Sequence, residues 1–170
     1  KVCPVCGGPT GIKKANDTES LYCLNPDCQA KHIKRFEHFV SRNALNIDGI
    51  SSQTLEKFID RGFIKNYTDL YHLNNYEDEI VGMDGFGRKS YDNIIESVEK
   101  SRTVTLDHVI YALGIGGIGL ANARLVSRHC NEDPETVADI TIEELMSIDG
   151  IGDVLAQSFR EYSDDVNNRR

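Results

Sequence analysis

The sequence predicts a mainly α-helical protein: a small four-cysteine finger, then an all-helical domain made of four copies of one helix–glycine hairpin–helix unit. Three observations predict it. Four of the five cysteines fall within the first 28 residues, as two tight pairs. Four 17-residue stretches beyond residue 43 align without gaps around a short glycine-rich core. Around those cores, apolar residues recur at three- and four-residue spacing, the period of an amphipathic helix. A chain of 170 residues accommodates one medium domain or two small ones, and the pattern divides it at 1–35 and 36–170.

The composition, 39% hydrophobic and 27% charged, is that of an ordered, water-soluble chain. No apolar run approaches the ~18 residues of a membrane span, and the opening residues carry no secretory leader. No membrane partner is therefore expected, and the location expected is the cytoplasm. A start only two residues before Cys3 is expected of a segment cut from a longer protein. The net charge of −8 is uneven: residues 1–42 hold seven Lys/Arg against four Asp/Glu (+3), and residues 43–170 hold twelve against twenty-three (−11). Nucleic-acid binding is usually read from a basic balance, so here any case for it rests on local geometry.

In the finger, "CPVC" (Cys3, Cys6) and "CLNPDC" (Cys23, Cys28) give C-x2-C-x16-C-x4-C. Two close pairs separated by a short excursion suit the tetrahedral thiolate shell of Zn²⁺. Gly7 and Gly8 supply open backbone after the second thiolate. Four cysteines complete the shell, so the zinc is expected to be structural, His32 is not needed as a ligand, and metal binding supplies the folding energy of a segment too short for its own core. Two disulfides are the alternative, disfavoured in a reducing compartment. Cys130 ends a helical pattern with no His/Asp constellation and is expected to be an inert thiol.

Next, "KHIKRFEHFVSR" places Phe36, Phe39 and Val40 at helical spacing beside Lys31, Lys34, Arg35 and Arg42. The basic face is either a solvated helix surface or a track for phosphates, with Lys34, Arg35 and Arg42 as the contacts.

The repeats are "ALNIDGISSQTLEKFID" (44–60), "IVGMDGFGRKSYDNIIE" (80–96), "ALGIGGIGLANARLVSR" (112–128) and "LMSIDGIGDVLAQSFRE" (145–161). The segments before the four glycine turns also have helical patterns. Thr141 and Glu144 form a capping box that starts a helix near Ile142, and Asp133-Pro134 starts another. The units are expected to pack as two pairs. Each turn has a left-handed-compatible glycine, an apolar plug (Ile50, Phe86, Ile118, Ile151) and a second small residue opening the next helix. A helix N-terminus carries unpaired N–H donors and partial positive charge, so it suits an oxyanion such as phosphate. Backbone donors contact phosphate without reading bases. Helix–helix turns in a protein-interaction domain are the bland alternative.

The copies differ. Gly85 and Gly87 are followed by Arg88 and Lys89, which add charge for phosphate, and rank first. Gly117 and Gly119, with Arg124 further along, rank second. Gly49 is followed by Ile50 and then Ser51, whose side chain narrows the turn but offers a hydroxyl. Gly150 and Gly152 precede Asp153, a carboxylate that could cap its own helix and would repel phosphate.

The glycine-hairpin repeats resemble the helix-hairpin-helix motif. With the four-cysteine finger and the join "FEHFVSRNALNIDGI", the whole chain resembles the zinc-finger and helix-hairpin-helix region of bacterial NAD-dependent DNA ligases. The resemblance implies sequence-independent binding of nicked duplex DNA, beside other domains of a parent enzyme that seals nicks in replication and repair using NAD and Mg²⁺. The family's K-x-D-G adenylation motif is missing here. No catalytic residue is therefore expected in these 170 residues, and the segment alone is expected to be inactive. Another DNA repair protein with the same repeats is the nearest rival.

Overall fold

The computed structural model describes residues 1–15, 18–166 and 168. It begins with an antiparallel hairpin, β1 (Thr10–Ala15) and β2 (Thr18–Cys23), in register Thr10↔Cys23 to Ala15↔Thr18. A bridge between Val2 and Pro9 extends it. Ile12, Leu21 and Tyr22 stay exposed on these strands, so the hairpin has no apolar core to hold it. This is the excursion expected between the cysteine pairs.

Cys28 sits immediately before α1 (Gln29–Val40), and its carbonyl accepts the His32 N–H at 3.0 Å. Helix α1 runs without a break through positions 35 and 36 and buries Phe36, Phe39 and Val40. Sequence periodicity suggests helix as far as Leu45, but α1 stops at Val40. Beyond it the Leu45 and Ile47 N–H groups turn back to the carbonyls of Phe39 and Val40, at 3.1 and 3.0 Å. Asn46 takes a left-handed φ of 50° to make that turn, which keeps Ala44, Leu45 and Ile47 in the core.

Then follow α2 (Ser52–Asp60), a 3-10 segment (Tyr67–Tyr76), α3 (Glu77–Val81), α4 (Arg88–Ser101), α5 (Leu106–Ala112), α6 (Leu120–His129), α7 (Pro134–Asp139), α8 (Ile142–Ser147) and α9 (Asp153–Asp164). The expected starts appear. Asp133 caps α7 with Pro134 in its first turn, and Thr141 and Glu144 form the reciprocal box at α8. The 3-10 segment is the element no periodicity announces. It opens on Asn66, with Asp69 accepting the Lys65 and Asn66 N–H groups at 2.7 and 3.0 Å. Among the described residues no helix is long and apolar enough to cross a membrane.

The helices enclose two apolar cores. One holds Phe36, Leu55, Phe58, Ile80, Ile94 and Val98, from the first two glycine-turn units. The other holds Ile110, Ile118, Val126, Leu145, Ile151 and Phe159, from the last two. The units thus pair as expected, first with second and third with fourth. Tyr67 locks α1 onto the first core, stacked on Phe39 at 4.1 Å and edge-on to Phe36 at 5.4 Å. Two histidines join the cores: His38 Nε2 is 2.6 Å from the Tyr111 carbonyl, and His108 Nδ1 is 2.9 Å from that of Asn43.

The four turns share one backbone path. Gly49, Gly85, Gly117 and Gly150 have φ of 84°, 76°, 79° and 93°, where an L residue pays a steric cost. In the last three, the N–H of Phe86, Ile118 or Ile151 returns at 3.0 Å to the carbonyl of Met83, Ile115 or Ile148. The plugs Ile118 and Ile151 are buried; Ile50 and Phe86 are partly buried. The second small residue is different. Ser51, Gly87, Gly119 and Gly152 are all extended, with ψ between 167° and 175°, a conformation open to any residue. Serine at 51 therefore does not narrow the turn.

At Gly117 a methyl would also stand 2.6 Å from Leu155 Cδ2, whereas at Gly85 it would meet nothing within 4 Å. Gly85→Ala should therefore cost about 1–2 kcal/mol of left-handed strain alone. Gly117→Ala should cost more, because Leu155 must also move. Urea unfolding of both variants checks the order.

Candidate metal centre and phosphate-facing turns

The fold closes the two cysteine pairs onto one point. Cys3 and Cys28 sulfurs lie 3.9 Å apart and those of Cys6 and Cys23 3.5 Å apart, and all four lie within 4.8 Å of one another. Zn–S bonds of about 2.3 Å in a tetrahedron put sulfurs about 3.8 Å apart, so the shell fits zinc. The cysteines stand as free thiols in this structure, at separations wider than the about 2.05 Å of a disulfide. Gly7, at φ 67°, turns the chain so that the Gly8 N–H points at Cys6 Sγ, 3.4 Å away. That donor is the main cause lowering the Cys6 pKa to about 6, whereas burial and then Cys6 push the neighbouring Cys23 up to about 12. His32 is used elsewhere: its Nε2 lies 3.0 Å from the Lys65 carbonyl, and its ring stacks on Phe36. Cys130 is buried in the second core, and burial pushes its pKa up, as expected of an inert thiol.

The four turns present four different faces. At the first, the Ser51 hydroxyl accepts the Thr54 N–H at 3.2 Å as a cap and also pairs with the Thr54 hydroxyl at 3.0 Å. Glu37 reaches over from α1 to accept from the Ser52 hydroxyl and from Lys34 Nζ, the latter at 2.6 Å. Those partners hold its carboxyl below the usual range. A carboxylate thus already occupies the mouth of this helix, and Lys34 is bound to it. Arg35 and Arg42 are exposed. Burial raises the phenols of Tyr67 and Tyr162, and the nearby charge of Arg35 opposes that rise.

At the second turn no side chain caps Gly87, and a Cβ there would point into open space. Arg88 is drawn back from the turn: Nη1 is 2.5 Å from Glu77 and 3.9 Å from Asp92, and the guanidinium lies 5.7 Å from the Tyr91 ring centroid. Lys89 is exposed and makes no ion pair among the described residues. At the third turn Gly119 is likewise uncapped, and no charged side chain occupies the first three positions of α6. Arg124 turns its Nε to Asp107 at 3.0 Å, and Thr105 also donates to that carboxylate. Among the described residues, the terminal guanidinium nitrogens of Arg124 make no hydrogen bond that competes with a ligand. At the fourth turn Asp153 does not cap its helix. It is the first helical residue, and its carboxylate accepts from Gln157 Nε2 at 2.9 Å. Asp149, Asp153, Met146 and Val154 are all exposed around that turn.

Sequence spacing misses the contacts made across each pair. Ser97 of α4 accepts the Asp48 N–H of the first turn at 2.7 Å. Lys57 of α2 donates to the Asp84 carbonyl of the second turn at 3.1 Å, and Ser158 of α9 donates to the Gly116 carbonyl of the third at 2.8 Å. In each case the bonded residue is the one just before the left-handed glycine. The fourth turn instead meets Leu125 of α6, 3.4 Å from a Cβ placed at Gly150. The repeat alignment groups Lys57 with the first turn; only the tertiary pairing brings it to the second.

Residues 108–170 match the family model described as helix-hairpin-helix motif. Almost the whole chain is similar to proteins named DNA ligase. That of Lachnoclostridium phytofermentans is 48% identical over 169 residues, 99% of this chain and 26% of the relative. That of Ruminiclostridium cellulolyticum is 45% identical over 164 residues, 96% of this chain and 25% of the relative. That of Petrotoga mobilis is 37% identical over 160 residues, 94% of this chain and 24% of the relative. The chain thus spans about a quarter of the length of these relatives and matches them across both the finger and the helical repeats, so the resemblance to DNA ligases extends from one end of the chain to the other.

The sulfur cluster predicts one Zn²⁺ per chain. Native mass spectrometry should show a single bound metal, and stripping it with a strong chelator should expose all four finger thiols to alkylation. A metal-free native mass with intact folding would contradict the assignment.

Proposed function

We propose that this chain is the DNA-gripping segment of an NAD-dependent DNA ligase: a zinc-stabilised finger (1–35) and a helical domain (36–170) that hold nicked duplex DNA by its phosphates during joining in replication and repair. The observation that carries the reading is the helix starts at Gly87 and Gly119, which no side chain caps, where a Cβ would meet nothing within 4 Å and where, unlike the equally uncapped start at Gly152, no acidic residue stands in the first turn. Their backbone N–H donors allow an acidic chain to bind a polyanion. The ligases it resembles supply the parent activity. In that parent, adenylyl transfer from NAD with Mg²⁺ belongs to the other domains and takes place in the cytoplasm, and this segment by itself joins nothing.

The turns are not equivalent in this reading. The second and third grip DNA. Lys89 is the readiest side-chain partner of the second, and Arg88 exchanges Glu77 for a phosphate. Arg124 serves the third through its terminal nitrogens. The first turn is internally satisfied through Ser51 and Glu37, so Gly49 and Ser51 contribute shape. At the fourth, Asp149 and Asp153 repel phosphate, so Gly150 and Gly152 also contribute shape. Arg35 and Arg42 on α1 add attraction near the finger, whereas Lys34 is spent on Glu37. A protein-contact reading is favoured at the fourth turn alone, where Met146 and Val154 are 49% and 77% exposed between carboxylates.

The zinc-loaded chain should bind unrelated duplex sequences with similar affinity, since backbone donors read no bases. Arg88→Ala combined with Lys89→Ala should weaken binding and lower the slope of log K against log salt by roughly one for each phosphate no longer held. Fluorescence anisotropy across a salt series checks both. Marked sequence preference, or an unchanged slope, would count against the reading.

A further inference from the structure

The second turn has a cation that its own unit does not supply. Lys57 belongs to α2, in the second half of the first repeat, yet its Nζ lies 3.1 Å from the carbonyl oxygen of Asp84, the residue just before Gly85. The same α2 seats Phe58 against Phe86, the plug of that turn, with ring centroids 5.9 Å apart. The position of Lys57 is therefore fixed by core packing between the two units. The side chain is exposed and makes no ion pair among the described residues. An ammonium has three donors. One is used on the carbonyl, and two remain for a ligand beside the turn.

The local charge makes this cation matter. Arg88 is occupied by Glu77 and lies near Asp92, and Asp84 adds an exposed carboxylate on the turn itself. A carbonyl bond leaves a lysine's charge intact, whereas a carboxylate neutralises an arginine's. The positive charge left at this turn is that of Lys57 and Lys89.

We propose that Lys57 is a phosphate-contacting residue of the second turn, delivered across the interface between the first two repeats, so that this grip is a composite of two units. The proposal rests on the reading that the second turn holds duplex phosphate.

The test uses the zinc-loaded 170-residue chain and a labelled duplex of arbitrary sequence, with anisotropy measured across a salt series. Lys57→Met should lower the slope of log K against log salt by about 0.9, the release expected for one phosphate contact. Lys57→Arg should restore it, and Lys100→Ala, which removes a lysine already paired with Glu96, should leave it in place. A second measurement needs no variant. Acetylation of the native chain with and without duplex should show Lys57 and Lys89 protected and Lys100 unprotected. If Lys89→Ala lowers the slope while Lys57→Met leaves it unchanged and Lys57 stays open to acetylation, Lys57 is only a brace and the proposal falls while the DNA-grip reading stands. If neither lysine variant moves the slope and neither lysine is protected, the grip reading itself falls.

Discussion

The helical domain depends on one backbone constraint, a left-handed residue placed where two helices meet a third. At Gly49 and Gly117 that residue also lies against a helix of the paired unit, so closely that a Cβ would crowd Ile94 or Leu155, and its side must be bare as well as its φ positive. The two demands together leave glycine. Because each turn is pressed on its partner's second helix, a unit does not hold its shape alone. It forms with its pair around a shared core, and Ser97, Lys57 and Ser158 tie the turn backbones to those neighbouring helices.

The same pairing separates shape from chemistry. The first glycine of each turn builds the fold. The second small residue is extended in all four copies and is not required by the backbone; it decides what stands at the mouth of the following helix. Serine at 51 closes that mouth with its own hydroxyl, whereas glycine at 87 and 119 leaves it open. One scaffold can thus carry helix starts with different surroundings, and the difference lies in side chains around the turn: Glu37 at the first, Asp149 and Asp153 at the fourth.

Much of this was legible in the sequence, for a physical reason. Cysteine spacing, the recurrence of Gly-apolar-Gly, the Thr141–Glu144 box and Asp133-Pro134 are local signals, and local geometry obeys them. What escaped was tertiary. The end of α1 at Val40, the 3-10 segment 67–76, the pull of Glu77 on Arg88 and the crossing of Lys57 from one unit to the next turn all depend on which elements pack together. A lysine 28 residues from a glycine carries no periodic trace of being beside it. Charge bookkeeping misled in the same way. The acidic total takes no account of backbone donors, which carry no formal charge and stand without a side-chain cap at Gly87 and Gly119.

Helix α1 links the two halves in a way that composition does not suggest. Its first residue follows Cys28 of the four-cysteine cluster, no side chain caps it there, and its far end carries Phe36 and Phe39 into the first core. A helix start is the costly step of helix formation. An ion that fixes Cys28 would therefore act as a nucleus for α1, and its loss would fray the helix from that end toward the core. Metal occupancy of the finger would then be felt as order in the domain behind it, so that the finger serves as the clasp of the helical domain as well as a neighbour to it.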